Sequence, residues 1–181
     1  RIETITEEKF IKLKEIGLHR VTFGMEHGNE KFRRDVIKRN YSNELAIELM
    51  KIPADLDIPF SVNNIIGFPG ETRELAFDTI ELNRYFKSDD TTCSVLIPFH
   101  GTEIRRMAEA QGLIDKETIC NITNSCESGI LDMPQWPKDE VAKIRNTFAM
   151  YVKFPKDRWP EIKKAEDNAE IHKKLSAEFI D

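Results

Sequence analysis

The stretch VTFGMEHGNE, residues 21–30, begins as an apolar strand and ends in a carboxylate flanked by glycines. Gly24 and Gly28 stand on either side of Glu26, and positions without a side chain let a ligand or a neighbouring backbone approach closely. Glu26 therefore either forms an ion pair with a nearby lysine or arginine or reaches toward a cationic or hydroxylated ligand. The residues alone leave both interpretations open. His27 is interpreted as a surface turn residue, because no second histidine or cysteine stands at metal-ligand spacing from it.

Two later stretches have the same character, an apolar strand that ends in glycine or a polar residue. Residues 60–70 read FSVNNIIGFPG, and residues 91–103 read TTCSVLIPFHGTE. Helical segments separate the strands at the interval of βα units, and the strands show little alternation, which is typical of strands covered on both faces. We predict an α/β fold with a mostly parallel sheet and outer helices, open or barrel-like, that binds ligands at the carboxyl ends of its strands.

Side chains that cap helices precede the helical segments of this α/β part. A Thr, Asn or Ser at such a position accepts a hydrogen bond from the first helical turn. Pro53 is expected to kink or end the third helix. The predicted helices lie at about residues 7–16 after Thr6, 30–38 after Asn29, 43–52 after Ser42, 73–87 after Thr72, and to about 111 after Thr102.

The character of the sequence changes after about residue 113, where a polar stretch without a clear period begins. Two charged helical stretches follow, at about 138–154 and 158–178, and are interpreted as an outer appendage. We therefore divide the chain into residues 1–114, the α/β part, and residues 115–181, a helical C-terminal extension.

Composition and charge exclude several classes of ligand and partner. The net charge is −5 and the pI about 5.5, with one dense basic patch at residues 31–39, so nucleic acid is not expected as the main ligand. No apolar run approaches the roughly 20 residues of a membrane span, and no signal-peptide pattern is present, so no membrane partner is expected. Cys93, Cys120 and Cys126 form neither a CxxC pair nor a compact cluster-binding run, which predicts free thiols in a cytoplasmic protein.

Two further stretches have both a structural and a ligand-binding interpretation. The loop GFPGET, residues 67–72, either places backbone amides around an anion or an adenine edge, or simply begins the next helix with its Glu-Thr pair. The basic run FRRDVIKRN, residues 32–40, is typical of a solvated helix face, which the residues alone favour. The alternative places Arg39 beside Glu26, where its guanidinium pairs with a carboxylate.

Taken in order and spacing, the motifs of the α/β part resemble the second half of a radical S-adenosylmethionine (SAM) enzyme core. The likeness is closest to the group whose members often carry a cobalamin-binding domain, and it covers about residues 1–114. The family fold is a full or partial (βα) barrel, commonly of six units, so the resemblance implies a partial barrel here. The motifs that carry it are LKEIGLHRV, FGMEHGNE, IKRNYS, NIIGFPGET and PFHGTE.

The resemblance also implies which residues contact the cofactor. Glu26 is expected at a barrel strand's end, in polar contact with the amino acid or ribose part of SAM. Arg39 matches the basic residue that pairs with the carboxylate of SAM. Gly67 falls in the loop where the backbone passes close to the cofactor. Ile97 and Pro98 match the strand whose backbone borders the adenine.

The sequence departs from the family pattern at several positions. His27 stands where this group usually has Ser, and Pro53, Asp57 and His100 replace other common residues. The CxxxCxxC loop that binds the [4Fe–4S] cluster in this family does not occur in the 181 residues. The chain is therefore expected to begin at the third barrel strand, and its first expected partner is the missing N-terminal part of the same protein.

These departures decide what activity is expected. In the whole protein, an iron–sulfur oxidoreductase, the resemblance implies reductive cleavage of SAM to methionine and a 5′-deoxyadenosyl radical, which abstracts hydrogen from a substrate. This chain alone is expected to be inactive, and its cysteines are expected to hold no cluster. A barrel without its first strands exposes a parallel edge, so self-association is also expected.

Two alternatives remain beside the family interpretation. One is a (βα)-barrel enzyme that acts on a phosphorylated metabolite, with GFPGET holding the phosphate and Glu26 as general base. The other is a non-catalytic binding module whose charged C-terminal helices dock a partner. Deleting residues 138–181 would abolish partner binding in the second case.

Overall fold

The computed structural model describes residues 1–120 and 129–178 and shows an α/β protein built around a small parallel sheet. Within these residues the sheet has three strands in the order β1-β2-β3, and Val21 of β1 lies opposite Phe60 of β2. The predicted α/β class is confirmed, whereas closure into a barrel stays a prediction. The strands are β1 (Val21–Glu26), β2 (Phe60–Ile66) and β3 (Asp90–Val95).

Helices follow the strands and fill most of the C-terminal region. Short 3₁₀ turns at Ile2–Thr4 and Lys156–Arg158 precede two of them. No helix in the described ranges is long and apolar enough to cross a membrane. The helices are α1 (Glu7–Glu15), α2 (Glu30–Asp35), α3 (Asn43–Asp55), α4 (Arg73–Asn83), α5 (Glu103–Ala110), α6 (Lys138–Lys153), α7 (Trp159–Ala165) and α8 (Ala169–Ala177).

Four of the predicted helix caps are confirmed. In each case the side-chain oxygen accepts a hydrogen bond from the backbone N–H three residues later, which satisfies one of the free donors of the first turn. The prediction succeeds because capping depends only on residues that are close in sequence. The capping residues are Thr6, Asn29, Ser42 and Thr102.

Several predicted helix boundaries are wrong. Helix α2 ends at Asp35 and α4 at Asn83, before the predicted ends at 38 and 87. Helix α3 continues past Pro53 to Asp55, because a proline in the last turn loses one hydrogen bond without disturbing the turns before it. The predicted single helix over 158–178 is two helices, α7 and α8. The break has a local cause, since Asn168 accepts hydrogen bonds from the backbone of Glu170 and Ile171 and so begins a new helix.

The chain divides into two compact units, and the first comprises Arg1–Asn64 and Leu75–Thr92. Its apolar core gathers side chains from one face of the sheet and from helices α1, α3 and α4. Buried members of this core are Ile2, Ile5, Phe10, Phe23, Met25, Tyr41, Ala46, Met50, Ile58, Phe60, Val62, Leu82 and Phe86.

A buried amide network lies within the first unit. Asn64 and Asn83 exchange two hydrogen bonds of 3.1 and 2.8 Å, and Asn64 also donates to the carbonyl of Thr92. Asn83 donates to the carbonyl of Thr79, whose hydroxyl accepts from the backbone of Gly28. Buried amides need such partners, and this set joins the turn after β1 to α4 and β2.

The second unit comprises Ile65–Glu74 and Cys93–Asp181, and its described part is mainly helical. Helices α6, α7 and α8 pack on one another. Helix α6 buries Val141, Ile144 and Phe148, as its apolar spacing predicts. The predicted boundary between residues 114 and 115 stays a prediction.

Candidate functional site

The end of β1 departs from regular strand geometry. Glu26 has a positive φ of 69°, which is uncommon for a residue other than glycine, and the pairing with β2 shifts between Gly24 and Glu26. Such strained positions cluster at functional sites, so the end of β1 is the candidate functional site. The Glu26 carboxylate lies 2.9 Å from Nη2 of Arg39.

Arg39 holds both the side chain of Glu26 and the strand beside it. Its Nη1 donates a hydrogen bond of 2.9 Å to the carbonyl of Gly24. The side chains of Glu26 and Arg39 are 15% and 20% exposed, so the pair is mostly buried. Glu26 thus forms the ion pair that one interpretation of the sequence expected, and its contact with a ligand stays a proposal.

Burial raises the pKa of Glu26 above its ordinary value of 4.5, and the positive charge of Arg39 only partly offsets this. One guanidinium is therefore not enough to compensate the carboxylate for lost water. An additional donor, such as an ammonium or hydroxyl group, would find an acceptor here that is poorly solvated.

The two glycines that flank Glu26 lack room for a side chain for different structural reasons. A Cβ at Gly24 would collide with Oε1 of Glu26, so this glycine makes room for the carboxylate. A Cβ at Gly28 would collide with the backbone of Asp78 and Thr79, so this one lets α4 approach the turn. The sequence predicted close approach at both positions and could not say to what.

Arg33 is a structural residue that the sequence interpretation missed. It is fully buried, although the basic run 32–40 was expected to be a solvated helix face. Its Nη1 donates to the carbonyl of His27 and to Oδ1 of Asn43, and its Nη2 donates to the carbonyl of Tyr41. Burial lowers the pKa of Arg33, and the guanidinium lies 4.1 Å from the centroid of the Tyr41 ring.

His27 is fully buried, so the interpretation as a surface turn residue is wrong. Its ring stacks on Phe32 at 4.6 Å, and its Nδ1 accepts a hydrogen bond from the backbone of Asn29. These contacts turn the chain from β1 into α2. The sequence carried no signal for this burial, because His27 lies in a polar stretch.

The loop after β2 is built around an internal carboxylate. Gly67 has a φ of 85°, and Oε2 of the buried Glu71 accepts hydrogen bonds of 2.6 and 2.9 Å from the backbone of Gly67 and Phe68. Two of the amides that were considered for an anion therefore already bind a carboxylate of the protein. A Cβ at Gly67 would lie 3.1 Å from Val95 and 3.3 Å from Val141.

The segment after β3 contains Ile97 and Pro98, the remaining candidates. Pro98 is buried and Ile97 half-buried. The carbonyl of Pro98 accepts hydrogen bonds from the buried Arg105 and from the Cys120 thiol. Arg105 also donates to the carbonyl of Asp115, so it fastens the chain that follows α5. Only backbone atoms of Pro98 take part in these polar contacts.

Two of the three cysteines lie among the described residues. Cys93 and Cys120 are free thiols, and Cys126 lies outside the described residues. Burial raises the pKa of the Cys93 thiol well above its ordinary value.

Comparison with known proteins bears on residues of this site. The family model described as the Radical SAM superfamily matches residues 2–82. These residues form a radical SAM segment. It includes Glu26, Arg39 and Gly67, and it ends before Ile97 and Pro98. The resemblance that the sequence motifs indicated is therefore confirmed over residues 2–82.

Two curated proteins are similar to the chain, and both are named methyltransferases. "Uncharacterized methyltransferase PH0819" of Pyrococcus horikoshii is 28% identical over 114 residues, 63% of this chain and 25% of that protein. "Cytidylyl-2-hydroxyethylphosphonate methyltransferase" of Streptomyces wedmorensis is 26% identical over 163 residues, 84% of this chain and 30% of that protein. The chain spans about a quarter to a third of the length of these relatives.

Proposed function

We propose that this chain is part of a radical SAM enzyme and contacts SAM with Glu26 and Arg39 at the end of β1. The observation that carries the proposal is the mostly buried Glu26–Arg39 ion pair, which lies inside the radical SAM segment at an irregular strand end. We extend the proposal to Gly67, Ile97 and Pro98, which the resemblance assigns to the same cofactor.

The chemistry of the pair fits the polar groups of SAM. The methionine part carries a carboxylate, for which the Arg39 guanidinium is a suitable partner. It also carries an ammonium group, and the ribose carries hydroxyls, both of which donate hydrogen bonds that Glu26 can accept. When bound beside a reduced [4Fe–4S] cluster, SAM supplies radical chemistry, while these side chains bind and orient it.

Binding of SAM to the 181-residue chain tests the proposal. We expect Arg39→Met to weaken binding by about tenfold, which corresponds to the loss of one charged hydrogen bond. Arg34→Met is the matched control, because Arg34 lies on the exposed face of α2 and pairs only with Asp35 among the described residues. Equal affinities of the two variants would contradict the role of Arg39.

We further propose that this chain alone does not cleave SAM. The 181 residues contain no CxxxCxxC motif, which supplies the cluster ligands in this family. The cluster, and any cobalamin, would belong to another part of the whole protein. After iron–sulfur reconstitution and reduction, chromatography should detect no 5′-deoxyadenosine, and robust formation would refute this part of the proposal.

The reaction proposed for the whole protein is methyl transfer. Both relatives carry that activity in their names, and one name specifies a cytidylyl phosphonate as the methyl acceptor. A whole protein supplied with methyl-labelled SAM should transfer the label to its substrate. Cleavage of SAM without any transfer of the methyl group would favour another radical SAM reaction.

A barrel enzyme for a phosphorylated metabolite is the second candidate, because a raised pKa of Glu26 suits a general base. Against it, the amides of Gly67 and Phe68 already bind the Glu71 carboxylate. Inorganic phosphate should therefore leave the amide resonances of residues 67–72 unchanged. Saturable shifts there would favour this candidate instead.

We also propose that the chain self-associates through a sheet edge. Strands β1 and β3 are the outer strands of the described sheet, and an unpaired parallel edge invites another strand. Light scattering should show a mass that increases with concentration. A single monomeric mass across all concentrations would contradict the proposal.

A further inference from the structure

One face of the sheet in the first unit is polar and open. Thr22, Asn63 and Thr92 are exposed although they lie in strands of a parallel sheet. Such strands are normally covered on both faces, as the sequence also predicted. The alternating residues Phe23 and Val62 point to the other face, in the apolar core.

The side chains of the polar face are hydrogen-bonded in two pairs. The hydroxyls of Thr22 and Ser61 are 2.9 Å apart, and the Thr92 hydroxyl donates a 2.8 Å hydrogen bond to Oδ1 of Asn63. The Asn63 amide nitrogen makes no hydrogen bond within residues 1–120 and 129–178. The face therefore offers the two N–H donors of the Asn63 side chain next to the hydroxyl oxygens of Thr22, Ser61 and Thr92.

This face is continuous with the Glu26–Arg39 pair. Asn63 lies opposite Gly24 in the β1–β2 register, and the Gly24 carbonyl accepts the hydrogen bond from Arg39. Gly24 adds no side chain between them. A molecule bound on the polar face would therefore lie next to the groups proposed to contact SAM, as a methyl acceptor or hydrogen donor must.

The charge of the face selects the kind of group that binds. Thr22, Ser61, Asn63 and Thr92 are all uncharged, and Arg39, which donates to the Gly24 carbonyl beside this face, is already paired with Glu26. A phosphate or phosphonate would lack the cationic partner that it needs after losing water. A neutral group with hydroxyls and amide-like edges would instead find both donors and acceptors.

We propose that Asn63, assisted by Thr22, Ser61 and Thr92, recognises a neutral, nucleoside-like part of the substrate on this face. The inference rests on the proposed function, since it places the substrate beside the SAM contacts. Asn63 acts as a specificity-determining residue: its amide donates to a substrate oxygen. A substrate without that acceptor leaves the amide unpaired.

Cytidine is a suitable probe, because it has sugar hydroxyls and an amide-like base edge and carries no charge. Titration of the ¹⁵N-labelled chain should shift the amide resonances of residues 22, 61, 63 and 92 and the side-chain NH₂ of Asn63. Methylphosphonate, the anionic probe, should leave them unchanged. Asn63→Ala should weaken cytidine binding about fivefold and change SAM affinity less than twofold, as expected for one neutral hydrogen bond.

Asn40→Ala is the matched control, since Asn40 is an exposed asparagine outside the strands. Both variants should keep the dispersed amide spectrum of the native chain. The inference fails if cytidine shifts none of the four residues, if Asn63→Ala leaves its affinity unchanged, or if methylphosphonate shifts them equally. A SAM affinity that does not depend on Arg39 would instead defeat the proposed function, so the two failures are distinguishable.

Discussion

Glu26 and Glu166 are both carboxylates paired with an arginine, one in each unit, and their surroundings differ sharply. Glu166 has no exposed side-chain surface, and it accepts hydrogen bonds from Arg73, Lys163 and Tyr151. Burial raises the pKa of Glu166, but these three donors outweigh burial and hold the pKa below its ordinary value. Glu26 has one charged donor, and burial prevails.

The difference distinguishes a structural carboxylate from one that has capacity for a ligand. The negative charge of Glu166 is compensated by the protein itself, so its loss should affect folding. The negative charge of Glu26 is only partly compensated by Arg39, and Glu26 has a positive φ. Its loss should therefore affect folding little and ligand binding more. Substitutions of the two carboxylates and of their neighbours separate these two roles.

Replacing Glu166 should cause the largest loss of stability. Glu166→Ala removes the buried carboxylate that accepts hydrogen bonds from Arg73 and Tyr151, and breaking such a buried pair costs about 3–5 kcal/mol. Urea unfolding measures the change. Glu170→Ala, at an exposed position of α8, is the control and should cost less than about 1 kcal/mol.

Replacing Arg39 should have a smaller effect that depends on pH. Arg39→Met leaves Glu26 without its cation and should lower the free energy of unfolding by about 1–3 kcal/mol at pH 7. The loss should shrink near pH 5, because Glu26 can then take up a proton. A loss that is the same at both pH values would show that Glu26 stays ionised in the variant.

The two carboxylates should contribute to stability with opposite dependence on pH. The raised pKa of Glu26 means that the folded chain binds this proton more tightly, so its contribution to stability rises as pH falls from 7 toward 4.5. The contribution of Glu166 is present above 4.5 and is lost as pH falls through its lowered pKa. Subtracting the unfolding free energies of Glu26→Gln and Glu166→Gln from those of the native chain at each pH should reveal opposite slopes.

Adding a methyl group at Gly24 should have the smallest effect on stability. Gly24→Ala displaces the end of the Glu26 side chain, which is flexible, and should cost about 1 kcal/mol or less. It should still weaken SAM binding. Gly28→Ala meets backbone instead and should destabilise the chain by about 3 kcal/mol. Equal costs for the two variants would contradict the roles assigned to these glycines.

The sequence was informative wherever the interactions are local. Thr6, Asn29, Ser42 and Thr102 cap helices through contacts three residues away, and the strand-to-glycine pattern located β1 and β2. The motifs around Glu26 also indicated the family whose model matches residues 2–82. Predictions of this kind need no knowledge of tertiary contacts.

The interactions that were missed depend on tertiary contacts. Arg33 reads as a surface cation, yet carbonyls of His27 and Tyr41 and the amide of Asn43 surround it after the chain turns. Glu71 reads as the start of a helix, and only the fold shows that it occupies the amides of its own loop. Neither periodicity nor charge pattern encodes such contacts.

The most direct test of the central claim is a SAM titration of the ¹⁵N-labelled 181-residue chain followed residue by residue. We expect saturable shifts of the amide resonances of Gly24, Glu26 and Arg39. Glu26→Gln should keep the native spectrum and greatly reduce these shifts. No saturable shift at these three residues at millimolar SAM, or undiminished shifts in Glu26→Gln, would contradict the assignment of the Glu26–Arg39 pair to the cofactor.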